Sequence, residues 1–390
     1  MLSSKPLETL ESFGWALLFS TIIISILKLI ESRLISYLLF FSISFTSIFG
    51  ITKVLTGSHS ESSFLLLYGF SFYTTSLAFL HFKQKVSIVD AWKISNPLLL
   101  FTGPIAVFVK DISYKSTQQR ISYYLPFIVV GIFYFQIVGS PLVQYMFLLN
   151  ETDLVSAIVF ATIFEIFVYS NFCGLSLIVY GLAGICGFKV PLNFRQPFSS
   201  TNLIDFWRGW HTSLSVVLKT LFYDQFRAKL GLFGALLVVY ISSAMWHGIT
   251  FNFLLWGVLH TIAFYLTVKI LKTKIPFKQV LVFFLMVCAI IFGRMIFADN
   301  ETSRLLEKLS FNFVDFSFIE GLLSVPRSSK LALILGVALI VIEFLFQNNR
   351  FLKKRNYKHL RLPLVQVILM FYFLLFVMYT GGDYAIYGQR

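Results

Sequence analysis

The chain has 390 residues, 57% hydrophobic and 13% charged, with a formal net charge of +14. Soluble domains are closer to half apolar and a quarter charged, so this composition excludes most soluble folds and calls for lipid around the apolar segments. The basic residues recur in short runs between apolar stretches and form no single patch, which speaks for membrane orientation over nucleic-acid binding.

A helix needs about 20 apolar residues to cross the hydrocarbon. Ten runs reach or approach that length: Phe13–Ile30, Leu34–Leu55, Phe64–Phe82, Tyr123–Ile137, Leu154–Phe188, Leu230–Trp246, Phe251–Ile270, Phe277–Phe297, Leu331–Phe346 and Leu362–Thr380. The first lacks a basic n-region and a small-residue cleavage site, so it reads as a retained span. Pro97–Val109, with Gly103-Pro104 in its middle, is too short to span and reads as re-entrant. The fifth run is too long for one straight crossing and carries Gly174, Gly181, Gly184 and Gly187. A broken helix, or a span followed by a re-entrant piece, is expected there, which needs protein or a cavity to cover the freed backbone.

Between the fifth and sixth runs, Thr201–Lys229 changes periodicity. Leu203, Phe206, Trp207, Trp210, Leu214, Val217, Leu218, Leu221 and Phe222 return at three- and four-residue steps. The pattern predicts one amphipathic helix along the cytoplasmic side, with Ser200 or Thr201 as N-cap. Counting Lys and Arg by loop puts Lys28–Arg33, Lys83–Arg120, Lys189–Lys229, Lys269–Lys278 and Arg350–Arg361 on one side. Ten crossings then place both termini outside the cytoplasm, with residues 299–325 as a small outer loop. No linker interrupts the chain, so residues 1–390 form one membrane domain.

Ionisable groups inside spans are expensive and are functional candidates by default. Glu165, His247, His260 and Arg294 meet that description. His247 closes the sixth run in SSAMWHGITFN, where an imidazole can take a proton from an alcohol near neutral pH; a structural histidine bonded between helices is the alternative. His211, in DFWRGWHTSLS, suits either binding of an anionic cofactor or anchoring at the headgroup level. His260 reads as structural, and His59, His81 and His359 as solvated. Cys173, Cys186 and Cys288 lack paired spacing and read as buried inert thiols, with neither a disulfide framework nor a metal site. Phosphate-cradling, dinucleotide, nucleophile-elbow and zinc-protease motifs are absent from the sequence. A transporter would call for repeated broken helices, and the halves show no repeat.

The block PLNFRQPFSSTNLIDFWRGWHTSLS followed by SSAMWHGITFNFLLWGVLHT resembles the membrane-bound O-acyltransferase family, in its bacterial branch of alginate O-acetylation and teichoic-acid D-alanylation proteins. GFSFYTTSLAF, LLFTGPIAVF and the final DYAIYGQR resemble further segments of that branch, and the match is best from Leu66 to Trp256. The resemblance implies an all-α integral membrane fold, a ring of about ten tilted helices with re-entrant and amphipathic cytoplasmic helices around a central tunnel. It implies that His247 is the catalytic histidine and His211 the second one, with Trp246, Trp207, Arg208, Asp205, Asn193 and Asn252 as substrate- or donor-binding residues. It further implies no tightly bound cofactor and a cytoplasmic thioester co-substrate, acetyl-CoA or the phosphopantetheine of an acyl-carrier protein. The expected partners are membrane lipid, that donor, a cell-envelope glycan acceptor and an extracytoplasmic acyl-transfer protein, and the expected location is the cell membrane. A lipid or lipid-linked sugar as acceptor, and an inactive scaffold, are the alternatives it leaves open. The chain departs from the family pattern at Gly209, where an Arg is usual, at Asn171, Leu175, Val217 and Thr220, and in IFADN, which lacks the Arg of F-R-A-D.

Overall fold

A computed structural model describes residues 6–48, 61–84, 87–96, 99, 103–149, 153–298, 305, 316–348 and 362–380. Helix dominates. In chain order come α1 (Pro6–Leu27), α2 (Arg33–Ile48), α3 (Glu61–Phe82), the short α4 (Ile88–Ile94), α5 (Thr117–Ile132), α6 (Val143–Leu148) and α7 (Leu154–Ile185). The C-terminal half adds α8 (Leu203–Gly209), α9 (Thr212–Leu218), α10 (Asp224–His247), α11 (Phe251–Lys272), α12 (Lys278–Phe297), α13 (Ser317–Ser324), α14 (Arg327–Asn348) and α15 (Pro363–Thr380). Two short strands, β1 (Lys110–Asp111) and β2 (Phe188–Lys189), pair antiparallel.

A helix lies over each of the ten apolar runs, and six helical stretches are long and apolar enough to cross a membrane: Thr117–Leu148, Leu154–Ile185, Thr212–His247, Phe251–Lys272, Lys278–Phe297 and Arg327–Leu345. Their outer faces expose large apolar side chains such as Leu266, Phe284 and Ile334, which is the surface lipid requires. The chain is therefore a multi-pass helical membrane protein.

Several expectations are corrected. The fifth run is one uninterrupted helix, α7, 32 residues long, begun by a capping box in which Asp153 accepts from the Ser156 amide. At 1.5 Å per residue it measures about 48 Å, so it fits a bilayer core of about 30 Å only by tilting or by extending beyond it. Its glycines admit a neighbour: a Cβ at Gly174 would stand 2.7 Å from the Gly131 carbonyl oxygen and the Phe135 amide, and one at Gly184 would enter the Tyr124 ring. α5 and α7 thus approach backbone to backbone, as small residues allow between membrane helices. Only Gly187, with φ +99°, terminates anything.

The fourth span is longer than its apolar run. α5 starts from a Ser116–Gln119 capping box and continues through a π turn (Phe133–Gly139) and a 3-10 turn (Ser140–Leu142) into α6. His81 is buried and not solvated: its ring nitrogens face the Ser36 hydroxyl at 2.7 Å and the Ile30 carbonyl at 2.6 Å. Cys173 is buried as expected, whereas Cys186 and Cys288 are exposed. His59, His359, the final DYAIYGQR and most of the 299–325 loop lie outside the described residues; of that loop, Leu305 is buried and α13 is ordered. The described part of Pro97–Val109 is buried inside the protein from Gly103 to Ala106 and runs into a 3-10 turn (Ala106–Phe108); the Gly103 amide donates to the Leu99 carbonyl at 3.1 Å and the Ile105 amide to the Ser213 hydroxyl at 3.2 Å.

Candidate active site

The expected single helix over Thr201–Lys229 is two helices with His211 at the break. α8 is capped by Asn202, and not by Ser200 or Thr201: the Asn202 side-chain Oδ1 accepts from the Ile204 and Asp205 amides at 3.1 Å. It ends at Gly209, and His211 then takes a left-handed backbone, φ 41° and ψ 59°. That conformation costs a non-glycine residue of order 1 kcal/mol, and the surroundings hold it in place. The Arg195 amide donates to the Gly209 carbonyl at 2.9 Å, and the Thr212 amide to the Asn193 carbonyl at 2.9 Å. Ser213 donates to Asn193 Oδ1 at 2.7 Å and accepts from the Ile105 amide at 3.2 Å. Gly209, where the family pattern has Arg, sits against Arg195 and Pro197, and a Cβ there would lie 3.1 Å from both. After α9 a π turn (Lys219–Tyr223) leads into α10, which kinks at Gly231 and delivers His247 at its end.

These two routes bring the histidines to one place. The Trp246 ring stands between them, centroid 6.1 Å from the His211 ring and 4.9 Å from the His247 ring. Its indole N–H donates to Thr75 Oγ1 on α3 at 2.9 Å, which sets the ring plane. His211 is 6% exposed, edge-on to Phe172, and its Nε2 has no partner among the described residues. His247 is exposed, with its ring against Trp246 and against Phe297 at 5.0 Å, and with Phe253 and Trp256 each at 6.3 Å.

His247 lines an internal chamber of about 610 Å³, also bordered by His211, Trp207, Tyr240, Trp256 and Arg294. Four basic side chains, Arg208, Lys219, Arg227 and Lys272, line it too, and all four are exposed, so they mark where it opens to solvent. They come from the two segments that loop charge assigns to the cytoplasm.

The remaining candidates separate. Trp207 and Arg208 line the chamber with Trp246. Asp205 does not; it accepts from Asn202 at 2.9 Å and from Arg208 at 3.2 Å on the surface. Asn193 and Asn252 are buried off the chamber wall, Asn193 fastening the start of α9. His260 is enclosed by Trp207, Tyr240 and Trp256, with its Nδ1 unbonded among the described residues. Glu165 and Arg294, 129 positions apart, form a buried ion pair. One ionisable residue escaped the reading of the spans: Glu343 on α14 is buried and accepts from the Tyr169 and Tyr134 hydroxyls. As a lone acid inside an apolar run, it was open to the same rule that singled out Glu165.

Fold and site together define a polytopic membrane protein in which two histidines share one internal chamber with a basic opening. The chain belongs to the membrane-bound O-acyltransferase family, whose sequence model matches residues 17–298. It is similar to the peptidoglycan O-acetyltransferase of Helicobacter pylori, with 36% identity over 101 residues, 25% of this chain and 19% of that protein. It is also similar to the probable alginate O-acetylase of Azotobacter vinelandii, 30% identical over 125 residues covering 31% of this chain and 25% of the relative. The teichoic acid D-alanyltransferase of Bacillus subtilis is 24% identical over 151 residues, 35% of this chain and 38% of that protein. The matched stretches thus span less than half the length of these relatives.

Proposed function

We propose that the protein is a membrane O-acyltransferase that moves an acyl group, with acetyl the expected one, from a cytoplasmic thioester to a hydroxyl of a cell-envelope polysaccharide. The observation that carries this reading is the placement of His247 on the wall of a chamber that opens past basic side chains. Arg208, Lys219, Arg227 and Lys272 suit the phosphates of an acyl-CoA or a phosphopantetheine arm, since charge-assisted bonds to phosphate are strong and Arg can make two at once. The relatives named for acetyl and D-alanyl transfer support an acyl group as cargo. Loop charge supports a cell-membrane location with both termini outside the cytoplasm, so that the acceptor glycan, and any acyl-transfer partner, meets the chamber from the outer side.

In this reading neutral His247 takes the proton of the acceptor hydroxyl. The oxygen attacks the thioester carbonyl carbon, the C–S bond breaks, and the thiolate leaves with the proton returned by the imidazolium. Exclusion of water by the aromatic walls protects the thioester from hydrolysis. His211 stands across Trp246 and, with an Nε2 that has no partner among the described residues, is available to bond the donor's arm.

The test is His247→Ala in producing cells, with O-acyl groups on purified envelope polysaccharide quantified by mass spectrometry or NMR and membrane levels matched by immunoblot. Acylation should fall to background. Acylation unchanged in a properly inserted variant would sink the assignment.

A further inference from the structure

Arg294 is a buried charged group on the chamber wall, and its bonding is incomplete. It is 7% exposed, and among the described residues its only hydrogen bond runs from Nε to one oxygen of Glu165. The other Glu165 oxygen, Oε1, has no partner among the described residues, so the carboxylate holds the guanidinium by a single bond. A guanidinium has five N–H donors and does not deprotonate in proteins, so the four on the two Nη atoms remain for something that enters the chamber.

Two aromatic rings flank the guanidinium. The guanidinium carbon lies 4.9 Å from the Trp210 ring centroid and 5.6 Å from that of Phe297. The same Phe297 ring contacts His247 at 5.0 Å. A permanent cation with unused donors and a histidine thus flank one ring of a largely apolar enclosure, where electrostatic interactions are much stronger than in water.

We propose that Arg294 is a catalytic residue, its Nη face taking the negative charge that develops on the acyl carbonyl oxygen. This rests on the acyl-transfer reading above. As the acceptor oxygen bonds to the carbonyl carbon and its proton passes to His247, the C=O pair moves onto oxygen and is met by the Arg294 N–H groups. Collapse restores C=O, expels the thiolate, and His247 returns the proton. Charge balance favours this role over binding of an anion already present on the acceptor. Glu165 neutralises Arg294 in the resting chamber, so a permanent anion would leave a buried net negative charge. An oxyanion forms only together with the His247 imidazolium and leaves the enclosure neutral throughout.

The test uses membrane vesicles and cytosol of the producing cells, with initial rates of label transfer from acetyl-CoA to envelope polysaccharide and variants at matched membrane levels. Arg294→Ala should lower the rate by about 100- to 1,000-fold, the usual effect of removing an oxyanion donor. Millimolar guanidinium should restore part of it in Arg294→Ala and none in His247→Ala. Glu165→Gln, which keeps an acceptor for Nε, should stay within about tenfold of the parent. Should Arg294→Ala fail to insert, the pair Glu165→Leu with Arg294→Met removes both charges together, an exchange that buried ion pairs tolerate, and must show the same rate loss. An active Arg294→Ala or double variant overturns the proposal, as does an Arg294→Ala loss that guanidinium leaves untouched while Glu165→Gln falls equally far. If His247→Ala itself is active, the acyl-transfer reading fails instead.

Discussion

Gly293 on α12 faces the His260 ring, and that contact sets up a quantitative test of the chamber's outer packing. A Cβ on Gly293 would stand 2.6 Å from His260 Nε2 and 3.4 Å from Trp256 Nε1. Ordinary contact between heavy atoms needs about 3.5–4.0 Å, so the imidazole has to retreat by roughly 1 Å. It has nowhere to go: Trp256 lies at 4.6 Å, Trp207 at 5.1 Å and Tyr240 at 5.9 Å between ring centroids. Overpacking of this kind costs about 1–3 kcal/mol. Gly293→Ala is therefore expected to destabilise the detergent-solubilised protein by that amount, read from equilibrium unfolding by tryptophan fluorescence. His260→Ala removes the obstructing ring, so in that background the added methyl should cost little or become favourable. The double-mutant cycle should return a coupling of about 0.5–3 kcal/mol. A Gly293→Ala protein as stable as the parent, or costs that simply add, would refute the steric argument and the placement of His260 with it.

Two further outcomes follow from the site's supports. His211→Gly and His211→Ala both delete the imidazole, and acyl transfer should fall in both, but only Gly relieves the left-handed backbone, so it should be the more stable of the two by about 1 kcal/mol; equal stability would refute the strain, and acyl transfer unchanged in both would mean that the ring serves packing alone. Glu343→Leu strands the Tyr169 and Tyr134 hydroxyls and should cost about 1–3 kcal/mol for each one left unbonded, whereas Glu343→Gln keeps an acceptor and should recover most of it in the same unfolding assay.

The apolar runs predicted helices because a span's signature is local: twenty side chains that avoid water are read without knowing what they touch. The same holds for His247 and its neighbours, which stand together in one stretch of chain. The errors arise where a local signal had a distant cause. Gly174, Gly181 and Gly184 look like helix breakers until the backbones of α5 and α7 are seen in contact. The Thr201–Lys229 periodicity continues through His211 as if the helix did, because the bonds that break it come from Asn193, Arg195 and Ile105. His81 looked solvated from its place at a span end, yet Ser36 and Ile30, on the turn and helix before α3, enclose it.

The missing Arg of the family's F-R-A-D segment shows the difference most sharply. Its place falls at Phe297, and a guanidinium faces the chamber from Arg294, one turn earlier on α12. Composition and spacing alone established a membrane protein, its helical character and the two histidine blocks, since each depends on neighbours in the chain. That Trp246 stands between the two imidazoles, that Glu165 meets Arg294 and that four basic side chains surround one opening depended on the packing of helices. Those contacts join residues tens to hundreds of positions apart, and no property of either partner's own segment encodes the distance between them.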